Sequence, residues 1–186
     1  MRYQSIPSSL FVDRRNDFAK KMVSGSVAIF CSNDPMPRSG DQFYPFRQDA
    51  ALFALSGLDQ PGTIIVLCPD AKKKSNREIA FILPQDPEHL IWHGERYSAK
   101  QASAVSGIST IYTIDQWDRI MPSMIRSATA IYTHPRPADL SETEVKTEND
   151  RMNEKLKQLY PEHHHLSAHA ILTRMLMLKH PAELDL

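Results

Sequence analysis

Apolar residues come in short solid runs separated by segments of helical spacing. Val27-Ala-Ile-Phe-Cys31, Thr63 to Cys68 and Glu78 to Leu83 are each four to six residues long and almost wholly apolar. Runs of that length and composition predict strands covered on both faces. Thr110 to Thr113 and Ala128 to Tyr132 read as two more, flanking an amphipathic segment with Trp117, Ile120 and Met124. Between the runs, Phe11, Phe18 and Met22 fall on one face of a first helix, with Ser8 or Ser9 as its cap and Arg14 and Arg15 on other faces. Arg47 to Leu55 predicts a helix closed by Gly57, and Ser98 to Val105 predicts another with Gly107 behind it. Strands alternating with helices indicate an α/β layer structure.

Punctuation divides the rest. Asn33 to Gly40 carries Pro35, Pro37 and Gly40 and reads as a loop, and Lys72-Lys73-Lys74 reads as a solvated hairpin tip. Pro87 to Trp92 suits one helical turn. Thr133 to Glu144 is a polar surface connection. Val145, Met152, Leu156 and Leu159 then mark a helix broken by Pro161, and Ile171, Met175 and Leu178 mark another. Pro181 suits the first position of a last helix, with Glu183 favouring its dipole. That helix has no body within the sequence, which predicts the front part of a longer polypeptide.

Lys+Arg and Asp+Glu both number 22, so no net field attracts nucleic acid or an anionic membrane. No segment matches the length of a membrane span or the pattern of a secretory signal, and cytoplasmic residence is expected. Cys31 and Cys68 each end an apolar run and read as small buried hydrophobes in a reduced compartment; a disulfide between neighbouring strands is the lesser alternative.

Candidate chemistry is sparse. His163-His164-His165 cannot converge on one ion, because neighbouring side chains diverge. His165 and His169 have the i, i+4 spacing of a helical metal pair, but Leu166 stands where a metalloprotease helix carries Glu, and no third ligand shares the face. An exposed polar turn before a helix is the better reading. No nucleotide loop or nucleophile elbow is present, and Cys31 in an apolar strand is a poor nucleophile. Asp41, Asp49 and Asp59 suit caps and turns. Two segments stand out. Gly40-Asp-Gln-Phe-Tyr-Pro-Phe-Arg-Gln-Asp49 gathers three aromatics before a helix, with a packed corner the favoured role for Tyr44, Phe46 and Phe53. Trp92-His-Gly94 places an amphipathic indole at a turn, a contact-surface signal.

Four segments in order resemble the amino-terminal domain of aminopeptidase P, of the creatinase and prolidase superfamily. They are Phe43-Tyr-Pro-Phe-Arg-Gln-Asp49, Leu52 to Pro61, Glu88-His-Leu-Ile-Trp-His-Gly94 and Lys179-His-Pro-Ala-Glu183. The resemblance implies a mixed six-stranded sheet with flanking helices, related to ribonuclease H and the creatinase amino-terminal domain. It divides the chain into an α/β domain over 1–140, a helical connector over 141–178 and, over 179–186, the start of a pita-bread catalytic domain.

In that family the following domain holds two divalent ions, usually manganese, which activate the water that hydrolyses the bond before proline. The resemblance therefore implies no catalytic residue and no metal ligand in this chain. What remains for it is an entrance and docking role towards proline-containing peptides, within a homo-oligomer such as a dimer or tetramer. By motif alignment Trp92 and Asp41 are the substrate-binding residues, acting in trans on a neighbouring subunit. The chain departs from the pattern at His180, where Ser or Thr usually caps the helix, and at Leu176, where Arg is common. A prolidase or creatinase-like hydrolase, or a non-enzymatic protein-binding module of the same fold, are the rival readings.

Overall fold

In a computed structural model of the protein, residues 6–85, 95–137 and 145–184 are described. The strands β1 (Val27–Cys31), β4 (Ile64–Leu67), β5 (Glu78–Ile82), β6 (Thr110–Thr113), β7 (Ala130–Thr133) and β8 (His164–Ser167) form one sheet in the order β6-β5-β4-β1-β7-β8. The pairs β1/β4 and β4/β5 are antiparallel, while β5/β6, β1/β7 and β7/β8 are parallel. The mixed six-stranded sheet with flanking helices is therefore as expected.

The solid apolar runs are explained by two covers. Ala28 and Phe30 point to one face, where helices α1 (Ser8–Ala19), α2 (Ala50–Ser56), α3 (Ala99–Ser106) and α6 (His169–Leu176) bury Phe18, Leu52, Leu55, Ala102 and Leu172. Val27, Ile29 and Cys31 point to the other, under α4 (Trp117–Arg126) and α5 (Glu148–Leu159), with Met121, Ile125, Met152 and Leu156. Alternate side chains of one strand thus serve opposite cores. Each fully buried Leu, Ile or Phe contributes about 1.5–3 kcal/mol relative to exposure.

Helix α1 departs from the amphipathic reading. Pro7, not a serine, occupies its N-cap, with no side-chain cap. Arg15, expected away from the apolar face, is fully buried. Its Nη1 donates to the carbonyls of Leu55 (2.8 Å) and Ser106 (2.9 Å), and its Nη2 lies 3.0 Å from Glu78 Oε2. Those carbonyls lie in the last turns of α2 and α3, so one guanidinium satisfies orphan acceptors at two helix ends.

The two ends are built alike. Ser56 and Ser106 each donate to the carbonyl four residues back and accept from the residue two ahead, Leu58 or Ile108. Gly57 and Gly107 follow at φ 68° and 73°. A Cβ at Gly57 would lie 2.4 Å from the Phe11 ring, and one at Gly107 2.6 Å from Val12 Cγ2. Only glycine allows α1 to approach both ends so closely.

Three strands escape the sequence reading. Residues 37–43, which begin inside the loop predicted over Asn33 to Gly40, contain a small antiparallel pair, β2 (Pro37–Ser39) and β3 (Gln42–Phe43). The His-rich segment is not an exposed turn: His164–Ser167 pairs with Ala130–Thr133 as the sheet's edge strand. Residues 141–178 are consequently not only a helical connector, since they supply β8 to the sheet. The predicted turn over Pro87 to Trp92 lies outside the described residues. A four-residue helix α7 (Pro181–Leu184) starts at Pro181 as expected.

Candidate functional site

The Gly40–Asp49 segment begins as an arm. Asp41 sits at the tip of the β2–β3 hairpin, exposed, accepting no hydrogen bond among the described residues. Phe43 and Tyr44 are 51% and 56% exposed, so Tyr44 is not part of a packed corner. The Tyr44 N–H donates to Met36 (2.9 Å), and the Arg38 guanidinium carbon lies 6.0 Å from the Tyr44 ring centroid.

The arm has a rigid base. Gln48 Oε1 accepts from the backbone N–H groups of Asn33 and Asp49, and its Nε2 donates to the carbonyls of Leu58 and Gln60 at 2.9 Å each. Asn33 Nδ2 donates to Arg47 O (3.1 Å), and Arg151 pairs with Asp34 at 2.6 Å. Asp49 caps α2 by accepting from Leu52 N–H. Arg47 is exposed and forms no ion pair among the described residues. Gln48 is the residue that sequence reading missed. Its four partners come from three segments, and nothing local announces them.

Trp92 lies outside the described residues. The segment beyond it is tied down: Arg96 Nη1 donates to Pro84 O (3.0 Å), and Tyr97 N–H donates to Gln60 Oε1 (2.8 Å). Gln60 is buried and belongs to the Leu52–Pro61 segment singled out above.

A cleft of about 230 Å³ opens at the carboxyl ends of β1 and β7, lined by Asp49, His134, Asn149, His169 and Leu172, among others. The His134 and His169 rings are near parallel (19°), with centroids 6.0 Å apart. Burial pushes His134 below the ordinary imidazole value, and His169 adds to the depression against the opposing pull of Asp49 and Asp150. The unfolded chain therefore binds this proton at a higher pH than the folded one. Stability conferred by a neutral His134 is present above the ordinary imidazole pKa of about 6.5 and lost as pH falls from there through the folded value. Urea midpoints should drop over that window in the wild type and drop less steeply in His134→Gln. Equal pH slopes would show that His134 does not carry the effect.

The other histidines do not converge. His165 lies on β8 and His169 begins α6, so they share no helix. His165 Nε2 is 2.9 Å from Tyr160 O, and His163 packs edge-on against the Tyr160 ring. Among the described residues no three His, Cys, Asp or Glu side chains are gathered to hold a metal ion. Both cysteines are free, and burial raises the Cys31 thiol well above its ordinary value. At the last helix, His180 does the work of the expected Ser or Thr. Its Nδ1 accepts from Ala182 N–H (3.2 Å), and Glu183 accepts from His180 N–H (2.8 Å), reproducing a capping box.

Comparison with known proteins accords with this architecture. Residues 11–132 match the family model described as aminopeptidase P, N-terminal domain. The Xaa-Pro aminopeptidase of Haemophilus influenzae is 27% identical over 130 residues, 70% of this chain and 30% of that protein. The mitochondrial intermediate cleaving peptidase 55 of Arabidopsis thaliana is 28% identical over 179 residues, 95% of this chain and 33% of its own length. The chain thus spans about a third of these relatives. The structure of Pseudomonas aeruginosa aminopeptidase PepP superposes with a TM-score of 0.80 at 21% identity, covering 97% of this chain and 40% of that one. Among the described residues no helix is long and apolar enough to cross a membrane.

Proposed function

Because the chain belongs to the aminopeptidase P amino-terminal domain family, we propose that it serves a metal-dependent Xaa-Pro aminopeptidase as a non-catalytic domain that shapes the peptide entrance and mediates oligomerisation. Trp92 and Asp41 are the proposed substrate-facing residues, acting in trans. The enzyme's two divalent ions, manganese in this reading, belong to a catalytic domain beyond this chain. Among the described residues no three His, Cys, Asp or Glu side chains are gathered to hold such an ion. Cytoplasmic residence is part of the same proposal.

The observation that carries the reading is the arm. A domain with two complete cores nonetheless holds Phe43, Tyr44 and Asp41 outward on a base stitched by Gln48 and Arg151. An anchored, solvent-facing apolar tip suits packing against a second subunit, and its carboxylate suits a substrate amine or a basic neighbour.

Kinetics in the full-length protein test it. Trp92→Ala and Asp41→Ala should each lower kcat/KM on Xaa-Pro peptides by about tenfold, equivalent to about 1.4 kcal/mol of transition-state stabilisation. Bound metal should be unchanged. Wild-type turnover in both variants would remove these residues from the site. Cleavage of dipeptides with refusal of longer peptides would favour a prolidase instead.

A further inference from the structure

We propose that Arg14 and Glu183 form a latch that fixes the direction in which the chain leaves this domain and so positions the catalytic domain that follows. The proposal rests on the function put forward above.

Arg14 Nη2 lies 2.6 Å from Glu183 Oε2, with both side chains mostly buried. The other arm of the guanidinium, Nη1, donates to Ala54 O (3.3 Å), near the end of α2. Glu183 also accepts from His180 N–H, and His180 Nε2 stands 3.6 Å from Asp13 Oδ2. Two successive residues of α1 therefore hold both ends of a short capped turn. Burial would raise the Glu183 carboxyl, but the His180 N–H and the Arg14 guanidinium outweigh it and hold the group below the ordinary carboxylate value. An exposed ion pair on two flexible side chains contributes little. Here the carboxylate is fixed by its own helix start and the guanidinium by a helix end, so the pair is preorganised.

The domain's own packing does not require this arrangement. Among the described residues, neither core cluster contains one beyond Met175. What the latch does is hold residues 177–184 in one course. Leu172 anchors α6 in the core, Glu183 anchors α7, and Met177 and Leu178 between them are turned outward, 75% and 81% exposed. Two adjacent apolar side chains presented at a fixed place make a seat, and its occupant is the following part of the same polypeptide. The relatives' lengths support that choice, since this chain spans only about a third of each.

The test uses the full-length protein with one spin label on α4 and one in the catalytic domain. Pulsed-EPR distances should be narrowly distributed in the wild type and broaden in Arg14→Met and in Glu183→Gln. Arg14→Lys, which keeps the charge, should recover most of the narrow distribution. Turnover of Xaa-Pro peptides should fall on the order of tenfold to a hundredfold in the first two variants, mainly in kcat, with metal content unchanged. Glu183→Gln leaves the Arg14–Ala54 contact in place, so its effect cannot be ascribed to misfolding of α1. Unchanged distance distributions in both variants would overturn the latch. A wild-type protein that cleaves no Xaa-Pro peptide would sink the function above; the distances would still decide whether the latch orients the two domains.

Discussion

Replacing Arg15 by methionine should lower the stability of this domain by about 3–5 kcal/mol, the magnitude seen when a buried charge network is broken. The stem is apolar and methionine fills much the same volume, so little of the loss comes from packing. It comes from the carbonyls of Leu55 and Ser106, which lose their shared donor in a place water does not reach. Each stranded acceptor costs about 1–3 kcal/mol. Glu78 contributes less, because its side chain is about a third exposed and can rehydrate. Arg15→Lys should recover only part of the stability, since an ammonium is a point charge without the planar fork whose Nη1 serves both helix ends while its Nη2 reaches Glu78. Equilibrium urea unfolding reads the result. A midpoint within error of the wild type would mean that the double cap is not what holds α1 in place.

The glycines behind the two helix ends should be nearly as intolerant. Gly57→Ala should cost about 3 kcal/mol, combining a left-handed backbone penalty of roughly 1–2 kcal/mol with overpacking of similar size. The new methyl would meet the Phe11 ring at 2.4 Å, and that ring is buried edge-on against Phe53. Gly107→Ala should behave alike against Val12. Gly40 is the internal control. It also has positive φ, 55°, but a Cβ there has nothing within 4 Å, so only the backbone penalty remains. Equal losses at Gly40 and Gly57 would show that close approach of α1 plays no part.

What the sequence disclosed and what it concealed differ in physical kind. The central strands were legible because burial on both faces leaves an uninterrupted apolar run, and Val27–Cys31 could be little else. Helix ends were legible where one residue signals them, as at Gly57, Gly107 and Ser98. Arg15 was not, because periodicity counts every arginine as a solvated face, and its acceptors lie 40 and 91 residues away. The edge strand His164–Ser167 has too few apolar residues to register, and only its pairing with Ala130–Thr133 defines it. The β2–β3 pair is hidden by its prolines and glycine for the same reason. Motif order proposes Asp41 for the candidate site, but its place at a hairpin tip could not be read from the sequence. Gln48 was invisible, since its importance arises only when Asn33, Leu58 and Gln60 are brought beside it.

The cleft at the carboxyl ends of β1 and β7 has one more consequence. Among the aligned pairs, β7 accompanies β1 only at Val27 and Ala28, so the two strands part before Cys31. There Asn149 takes over: its Oδ1 accepts from Cys31 N–H at 2.9 Å, and its Nδ2 donates to Cys31 O at 3.0 Å. A side-chain amide thus impersonates the missing neighbour. A split between strands ordinarily offers a bare hydrogen-bonding template on which a foreign segment can polymerise. Here that template is already spoken for, which lets the sheet keep an open mouth without inviting aggregation through it.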